Sequence, residues 1–217
     1  MADIFQEVDE EVRRERLNKL WQRYGHYIIA ACVLVVVAVG AWRGYEWWET
    51  KKAIEAGAAF EQAVVLAEDG KHQEAEAAFA KLATDGTAGY RLLARLREAA
   101  ELGRTDRKAA IKAYDEIAAD RSVGQVIQDL ATLRAGFLLV DGSSYGDMRA
   151  RLEPLTAPDR AFRHSARELL ALSAWKGGDM GAARQWTDMI ITDPQTPSAA
   201  RSRAGVLSEL IAASGKG

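Results

Sequence analysis

The most apolar part of the chain is an uncharged run near the N-terminus, which reads YIIAACVLVVVAVGAW over residues 27–42. As a helix this run is about 24 Å long, and residues 24–45 reach about 33 Å, enough to cross a hydrocarbon core of about 30 Å. The pattern predicts a transmembrane anchor over residues 24–48. Aromatic residues at both ends, and an arginine that can extend toward the headgroups, are typical of such an anchor: Tyr24, Tyr27, Trp42, Arg43, Tyr45, Trp47 and Trp48.

A cleaved signal peptide is the alternative interpretation of the apolar run. Signal peptides have a short positive region before the apolar segment and small residues at the cleavage site. Here a long, mostly polar stretch rich in both Glu and Arg precedes residue 27, and the bulky sequence WRGYEWW follows Ala41. These features favour an uncleaved anchor.

Basic residues near the two ends of the anchor predict its orientation, because positively charged flanks are retained in the cytoplasm. Five basic residues lie between Arg13 and Arg23, whereas Arg43, Lys51 and Lys52 follow the apolar run. We therefore expect a single-pass protein of the bacterial inner membrane. Its N-terminus would lie in the cytoplasm, and its C-terminal domain would lie in the periplasm of a Gram-negative bacterium.

Residues 1–23 form a mostly polar, cytoplasmic arm with an approximate apolar stripe at helical spacing. Two interpretations of this arm stay open. It is either an amphipathic helix that lies on the membrane or on a cytoplasmic partner, or a simple helical extension of the anchor. Because the first proline of the chain is Pro154, a continuous helix from about residue 9 to about residue 69 is compatible with the sequence.

From residue 49 onward, helical stretches alternate with short breaks marked by Gly or Asp, as at residues 68–71, 141–144 and 177–179. Two helices joined by a tight turn, with small residues where they cross, form the unit of a tetratricopeptide repeat. The sequence predicts four such pairs and a final capping helix: residues 53–68 and 72–84, 88–102 and 106–119, 122–140 and 145–155, 160–176 and 180–191, and the cap at 198–213.

Small and large residues recur at corresponding positions of these pairs. Ala110 and Tyr114 follow Ala75 and Phe79 by 35 residues, close to the tetratricopeptide period of about 34. We expect the small residues to let the helices of a pair approach, and the large ones to fill the gap to the next pair. In the fourth pair, Gly178 and Ala183 repeat the relation of Gly70 and Ala75, and Pro194 follows. The predicted packing residues are therefore Gly70, Ala75, Phe79, Ala110, Tyr114, Gly178, Ala183 and Pro194.

The predicted fold is therefore all-α, with a single N-terminal transmembrane helix followed by a tetratricopeptide-like solenoid of helical hairpins over residues 49–217. The abundance of Ala, Leu, Glu and Arg agrees with this, because these residues are strong helix formers. A formal net charge of −2 gives no electrostatic footprint for nucleic acid.

The sequence contains no constellation of residues that predicts catalysis. The three histidines, His26, His72 and His164, lie far apart and lack metal-ligand spacing, and Cys32 is the single cysteine. No phosphate-binding loop and no nucleophile elbow occur in the sequence. We therefore expect no catalytic residue, no cofactor and no metal, and a protein that binds other proteins.

Several segments carry a resemblance to a known family. They are the anchor exit Gly40–Tyr45, the segment LRAGFLLVDG at Leu133–Gly142, the segment LLALSAWKGGDMGAARQW at Leu169–Trp186, and the opening DIFQEVDEEVRRERLNKLWQRYG. Together they resemble the ancillary SecYEG translocon subunit family, which comprises the YfgM-like tetratricopeptide proteins. The longer, more charged N-terminal arm departs from the shorter enterobacterial form of that family.

The resemblance implies a non-enzymatic scaffold that works beside the Sec translocon and a membrane-anchored periplasmic chaperone or prolyl isomerase. Such a scaffold would help newly exported proteins, its clients, to pass from the channel to periplasmic chaperones. The alternative function is a structural adaptor for cell-envelope assembly or cell division, since such adaptors also use anchored helical repeats.

Overall fold

A computed structural model describes the backbone of residues 3–214 and the side chains of residues 21–214. Within this part of the chain all regular structure is helical, which confirms the predicted all-α class. The α-helices are α1 Asp3–Glu68, α2 His72–Asp85, α3 Ala88–Thr105, α4 Arg107–Ala119, α5 Gln125–Leu139, α6 Tyr145–Leu152, α7 Arg163–Lys176, α8 Met180–Thr192 and α9 Ser198–Ser214. Two short 3-10 helices occupy Arg121–Val123 and Glu153–Thr156.

The chain divides into two compact units, Met1–Ile54 and Glu55–Gly217. In the first unit, α1 contains the apolar run, and its valine, leucine and isoleucine side chains are exposed. This helix is long and apolar enough to cross a membrane, which is compatible with a single-pass anchor.

The second unit is a succession of helical hairpins. Each helix from α2 to α8 packs against the next helix in the chain, and α7 also contacts α5 and α9. Packing between neighbours in sequence, repeated along the chain, is the arrangement expected of a solenoid. The observed helix limits agree with the predicted pairs to within a few residues.

Turn and capping residues explain where the helices begin. Gly70 and Gly178 adopt φ values of +78° and +82°, a left-handed conformation that other residues adopt only with strain. Asp106 caps α4 by accepting hydrogen bonds from the backbone N–H groups of Lys108 and Ala109. Side-chain oxygens of Ser144 and Asp179 cap α6 and α8 in the same way, so the second helix begins at a capping side chain in three of the four hairpins.

Several predicted helix limits differ from the structure; the helix expected at 88–102, for example, continues to Thr105. The helix expected at 122–140 begins only at Gln125, because Gly124 adopts φ +81° and interrupts the helical geometry. The helix expected at 145–155 ends at Leu152, since Pro154 has no N–H to continue it and the chain turns into a 3-10 helix. The helix expected at 160–176 begins at Arg163, after a turn that follows Pro158.

The core of the second unit runs through successive hairpins as clusters that share helices. One cluster joins the end of α1 to α2 and α3 around Phe79, and the next joins α3, α4 and α5 around Tyr114. A third cluster around Leu152 and Leu170 joins α5 to α8, and a fourth around Ile211 joins α7, α8 and α9. Because every cluster shares a helix with its neighbour, the apolar core is continuous from one hairpin to the next.

Candidate functional site

The predicted packing residues lie inside the hairpins of the second unit. Ala75, Ala110 and Ala183 are fully buried, and the large residues Phe79 and Tyr114 have exposed fractions of 0% and 4%. The ring of Phe79 meets that of Phe60 in a tilted contact with 5.4 Å between centroids. The buried residues lie in different core clusters, and Gly70, Gly178 and Pro194 lie in the segments between helices. The predicted packing residues therefore do not form one site.

The residues predicted to flank the anchor are exposed along α1. These residues are Tyr24, Tyr27, Trp42, Arg43, Tyr45, Trp47 and Trp48. Two lysines extend their ammonium groups over the indole rings near the end of this segment. Lys52 Nζ lies 3.6 Å from the ring centroid of Trp48, and Lys51 Nζ lies 5.7 Å from that of Trp47. Such cation–π contacts keep the two indoles beside positive charge.

A groove in the second unit is the candidate site. Three adjoining cavities of about 430, 460 and 270 Å³ share lining residues: Arg97 lines the first and second, and Arg134 and Tyr114 line the second and third. We call this surface the inner groove. Its lining includes side chains from the end of α1, from α2, α3 and α5, and one residue of α4, with two carboxylates at the first cavity: Phe60, Val64, Glu68, His72, Phe79, Leu93, Leu96, Arg97, Ala100, Glu101, Arg104, Tyr114, Leu130, Arg134 and Phe137.

Helical spacing places these residues on one face of each helix. On α3, Leu93, Arg97, Ala100 and Arg104 follow one another at intervals of three or four residues, so they share a side. The apolar members are not covered: Leu93 is 49% exposed and Phe137 is 51% exposed. The groove therefore offers apolar surface together with guanidinium groups.

The centre of the inner groove is positively charged. Arg97 and Arg134 line the second cavity, and no carboxylate lines the second or the third. Burial raises the pKa of the Tyr114 phenol, while Arg134 and Arg97 act on it in the opposite direction. Tyr114 is therefore neutral at physiological pH. Among the described residues its hydroxyl makes no hydrogen bond, so it is a free donor on a residue that lines the second and third cavities.

The end of the inner groove beside the first turn holds a paired carboxylate. Glu101 is 6% exposed, and its Oε2 lies 2.8 Å from Nδ1 of His72 and 3.6 Å from Nε of Arg104. His72 thus contacts a neighbouring helix, an ordinary interface position for a histidine. Within residues 21–214, no three metal-ligating side chains come together.

Ion pairs and hydrogen bonds of arginine side chains link different helices and turns of the second unit. Nη2 of Arg151 donates to Oδ2 of Asp115 at 3.2 Å. Arg167 donates to Asp193 at 3.0 Å and to the carbonyl of Thr156 at 3.0 Å, which ties three segments together. Partners 11 to 36 residues apart leave no pattern in the sequence, so these contacts could not be predicted.

Comparison with known proteins agrees with the fold. The profile of the tetratricopeptide repeat-like domain matches residues 18–186, so the match includes the apolar run, the first three hairpins and most of the fourth. Neither the curated proteins nor the solved structures give a match. Repeat domains of this kind are typically non-catalytic and suggest a protein–protein interaction scaffold. Because the match extends over most of the 217 residues, the chain belongs to the tetratricopeptide repeat-like domain family.

Proposed function

We propose that this chain is a single-pass inner-membrane protein whose helical hairpins form a periplasmic protein-binding scaffold. It works beside the Sec translocon and a membrane-anchored periplasmic chaperone, and it handles newly exported proteins. One observation carries the proposal: the segment that matches the family contains both an exposed apolar run and an open groove in the repeat domain.

The apolar run supports the anchor because its side chains have no protein partner among the described residues. Leu34 and Val36 are each 70% exposed, and burial of such surface in lipid is favourable by about 25 cal/mol per Å². A continuous helix also satisfies its own backbone hydrogen bonds, as a lipid environment requires. Trp47 and Trp48, held beside Lys51 and Lys52, suit the membrane–water interface at the far end of the run.

The inner groove supports the binding function. A side chain such as Phe137, half exposed on a helix of an otherwise well-packed hairpin, is of the kind that proteins bury against a partner. The neighbouring arginines add groups that are enriched at interface hot spots. A repeat domain with such a groove needs no catalytic residue to act.

The Sec translocon as partner is supported by the resemblance of four segments, including the opening of the chain, to its ancillary subunits. In the structure, Leu133–Gly142 covers the end of α5 and the turn that follows, and Leu169–Trp186 covers the hairpin of α7 and α8. The third segment, Gly40–Tyr45, closes the apolar run.

Crosslinking in living cells tests the proposal. A photo-reactive amino acid replaces Leu93 or Phe137 in the inner groove, and Val206 or Leu210, exposed on α9, as a matched control. We expect adducts with exported proteins or a periplasmic chaperone from the groove positions, and few from α9. Purification in mild detergent should recover channel subunits with the full-length chain.

The same experiment has outcomes that oppose the proposal. Recovery of intact protein without any channel subunit contradicts the role beside the translocon. Groove adducts with a cell-division or outer-membrane assembly protein would instead support the structural adaptor. Equal adducts from α9 and from the groove would show that the groove is not the binding surface.

A further inference from the structure

We infer that the inner groove binds a peptide segment of its partner in which side-chain carboxylates alternate with apolar side chains. This inference rests on the proposed function, because it takes the groove to be a protein-binding surface. The juxtaposition that carries it is a pair of arginines, one on α3 and one on α5, that line one cavity together with exposed apolar side chains.

The two arginines at the centre of the groove differ from others in the second unit. Arg95, on the opposite side of α3, donates to Asp120 at 2.7 Å, and Arg203 donates to Glu168 at 2.8 Å. Arg97 and Arg134 make no ion pair with any described side chain, and the second cavity that both line contains no carboxylate. Two unneutralised guanidinium groups on one surface attract an anionic partner and repel a basic one.

The geometry of the donors suits a carboxylate. A guanidinium presents its N–H groups as a planar fork that matches the two oxygens of a carboxylate, and such charge-assisted hydrogen bonds are about twice as strong as neutral ones. Tyr114 lines the same cavity as Arg97 and Arg134, and its neutral phenol is a further hydrogen-bond donor. A carboxylate bound here would therefore receive hydrogen bonds from α3, α4 and α5 together.

The apolar side chains define the remainder of the ligand. Leu93 and Phe60 line the second cavity with Arg97, and Phe137 lines the third with Arg134. Apolar residues that flank the carboxylates of the peptide would cover these side chains and exclude water from the ion pairs, which strengthens them. A purely acidic segment would leave this surface exposed.

Peptide binding to the full chain in lipid nanodiscs tests the inference. The probe is a fluorescein-labelled, C-terminally amidated peptide of alternating Glu and Leu, and its counterpart carries Gln in place of Glu. Fluorescence anisotropy should show the Glu peptide binding about tenfold more tightly, a difference of about 1.4 kcal/mol. Its affinity should fall as salt is raised, because part of the attraction is between exposed charges. Empty nanodiscs provide the background for lipid binding.

Charge-reversal variants locate the site. Arg97→Glu and Arg134→Glu should each weaken binding of the Glu peptide about tenfold or more, since each replaces attraction by repulsion. Arg184→Glu, an exposed position on α8, makes the same change of net charge and should leave the affinity unchanged. Arg97→Gln should give an intermediate loss and guards against a folding defect from reversed charge.

Three results would overturn the inference. They are equal affinity for the Glu and Gln peptides, equal losses in Arg184→Glu and Arg97→Glu, and binding only when the peptide carries a free C-terminal carboxylate. If the peptide fails while the groove positions still crosslink to a partner in cells, the chemistry inferred here is wrong and the proposed function stands. If groove crosslinks are absent as well, both fail.

Discussion

Replacement of Phe79 by alanine probes the packing that joins the first hairpin to the second. Phe79 is fully buried among residues of α1, α2 and α3. Burial of its side chain contributes about 1.5–3 kcal/mol, and the tilted contact with Phe60 adds about 0.5–1.5 kcal/mol. With the cavity that remains, Phe79→Ala should lower the free energy of unfolding by about 3–5 kcal/mol. That is a large share of the roughly 5–15 kcal/mol typical of a domain.

The loss should be local, because hairpins in a solenoid contact mainly their neighbours. Hydrogen exchange of the full chain in detergent micelles measures this helix by helix. We expect exchange in α2 and α3 to accelerate strongly in Phe79→Ala and exchange in α8 to change little. Phe137→Ala is the control, since Phe137 is 51% exposed, and it should lower stability by only about 0.7–1.5 kcal/mol.

Equal losses of stability in Phe79→Ala and Phe137→Ala would contradict the expected dependence of stability on burial. The expectation of a local loss fails if exchange in α8 accelerates as much as exchange in α2, because the unit would then unfold as one cooperative body and not as a succession of hairpins.

Three further variants test local features. The backbone N–H of Gln195 donates to the Asp193 carboxylate and lowers its pKa from 3.8 to about 2, and hydrogen bonds from Arg167 and Arg163 add to the effect. The carboxylate therefore stabilises the fold above pH 3.8, and this stabilisation is lost as pH falls through 2. Asp193→Asn should therefore lack this pH dependence in denaturation curves. Gly178→Ala should destabilise by about 1 kcal/mol or more, since φ is +82°. Gly205→Ala, in open space within α9, should stabilise by up to about 1 kcal/mol, and thermal melts compare the two. A lower melting temperature for Gly205→Ala than for Gly178→Ala would contradict both.

The helices could be predicted from the sequence because their signals are local. Apolar residues recur at helical spacing, and turn residues such as Gly70 and Gly178 mark the breaks. The spacing of Ala75 and Phe79 from Ala110 and Tyr114 also indicated which residues pack between helices, and all four are buried. Where the limits were wrong, at Gly124 and Pro154, a single residue had overridden a favourable helical pattern.

The inner groove could not be predicted with the same reasoning. Arg97 on α3 and Arg134 on α5 are 37 positions apart in the chain, and only the stacking of hairpins brings both to one cavity. Leu93 and Phe137 fit the apolar pattern of a helix as well as any core residue does, so periodicity does not reveal that they are exposed. The pairing of Asp115 with Arg151 is hidden for the same reason.

Retention of the apolar run in the membrane is the central claim about this protein. Alkaline extraction of membranes, combined with intact mass measurement, tests it most directly. An embedded helix resists extraction that releases peripheral proteins, because its apolar side chains remain in lipid. We predict that the full-length chain, with residues 24–48 intact, stays in the membrane pellet. Full-length protein in the supernatant, or a mature product that begins after Gly40, would contradict the account.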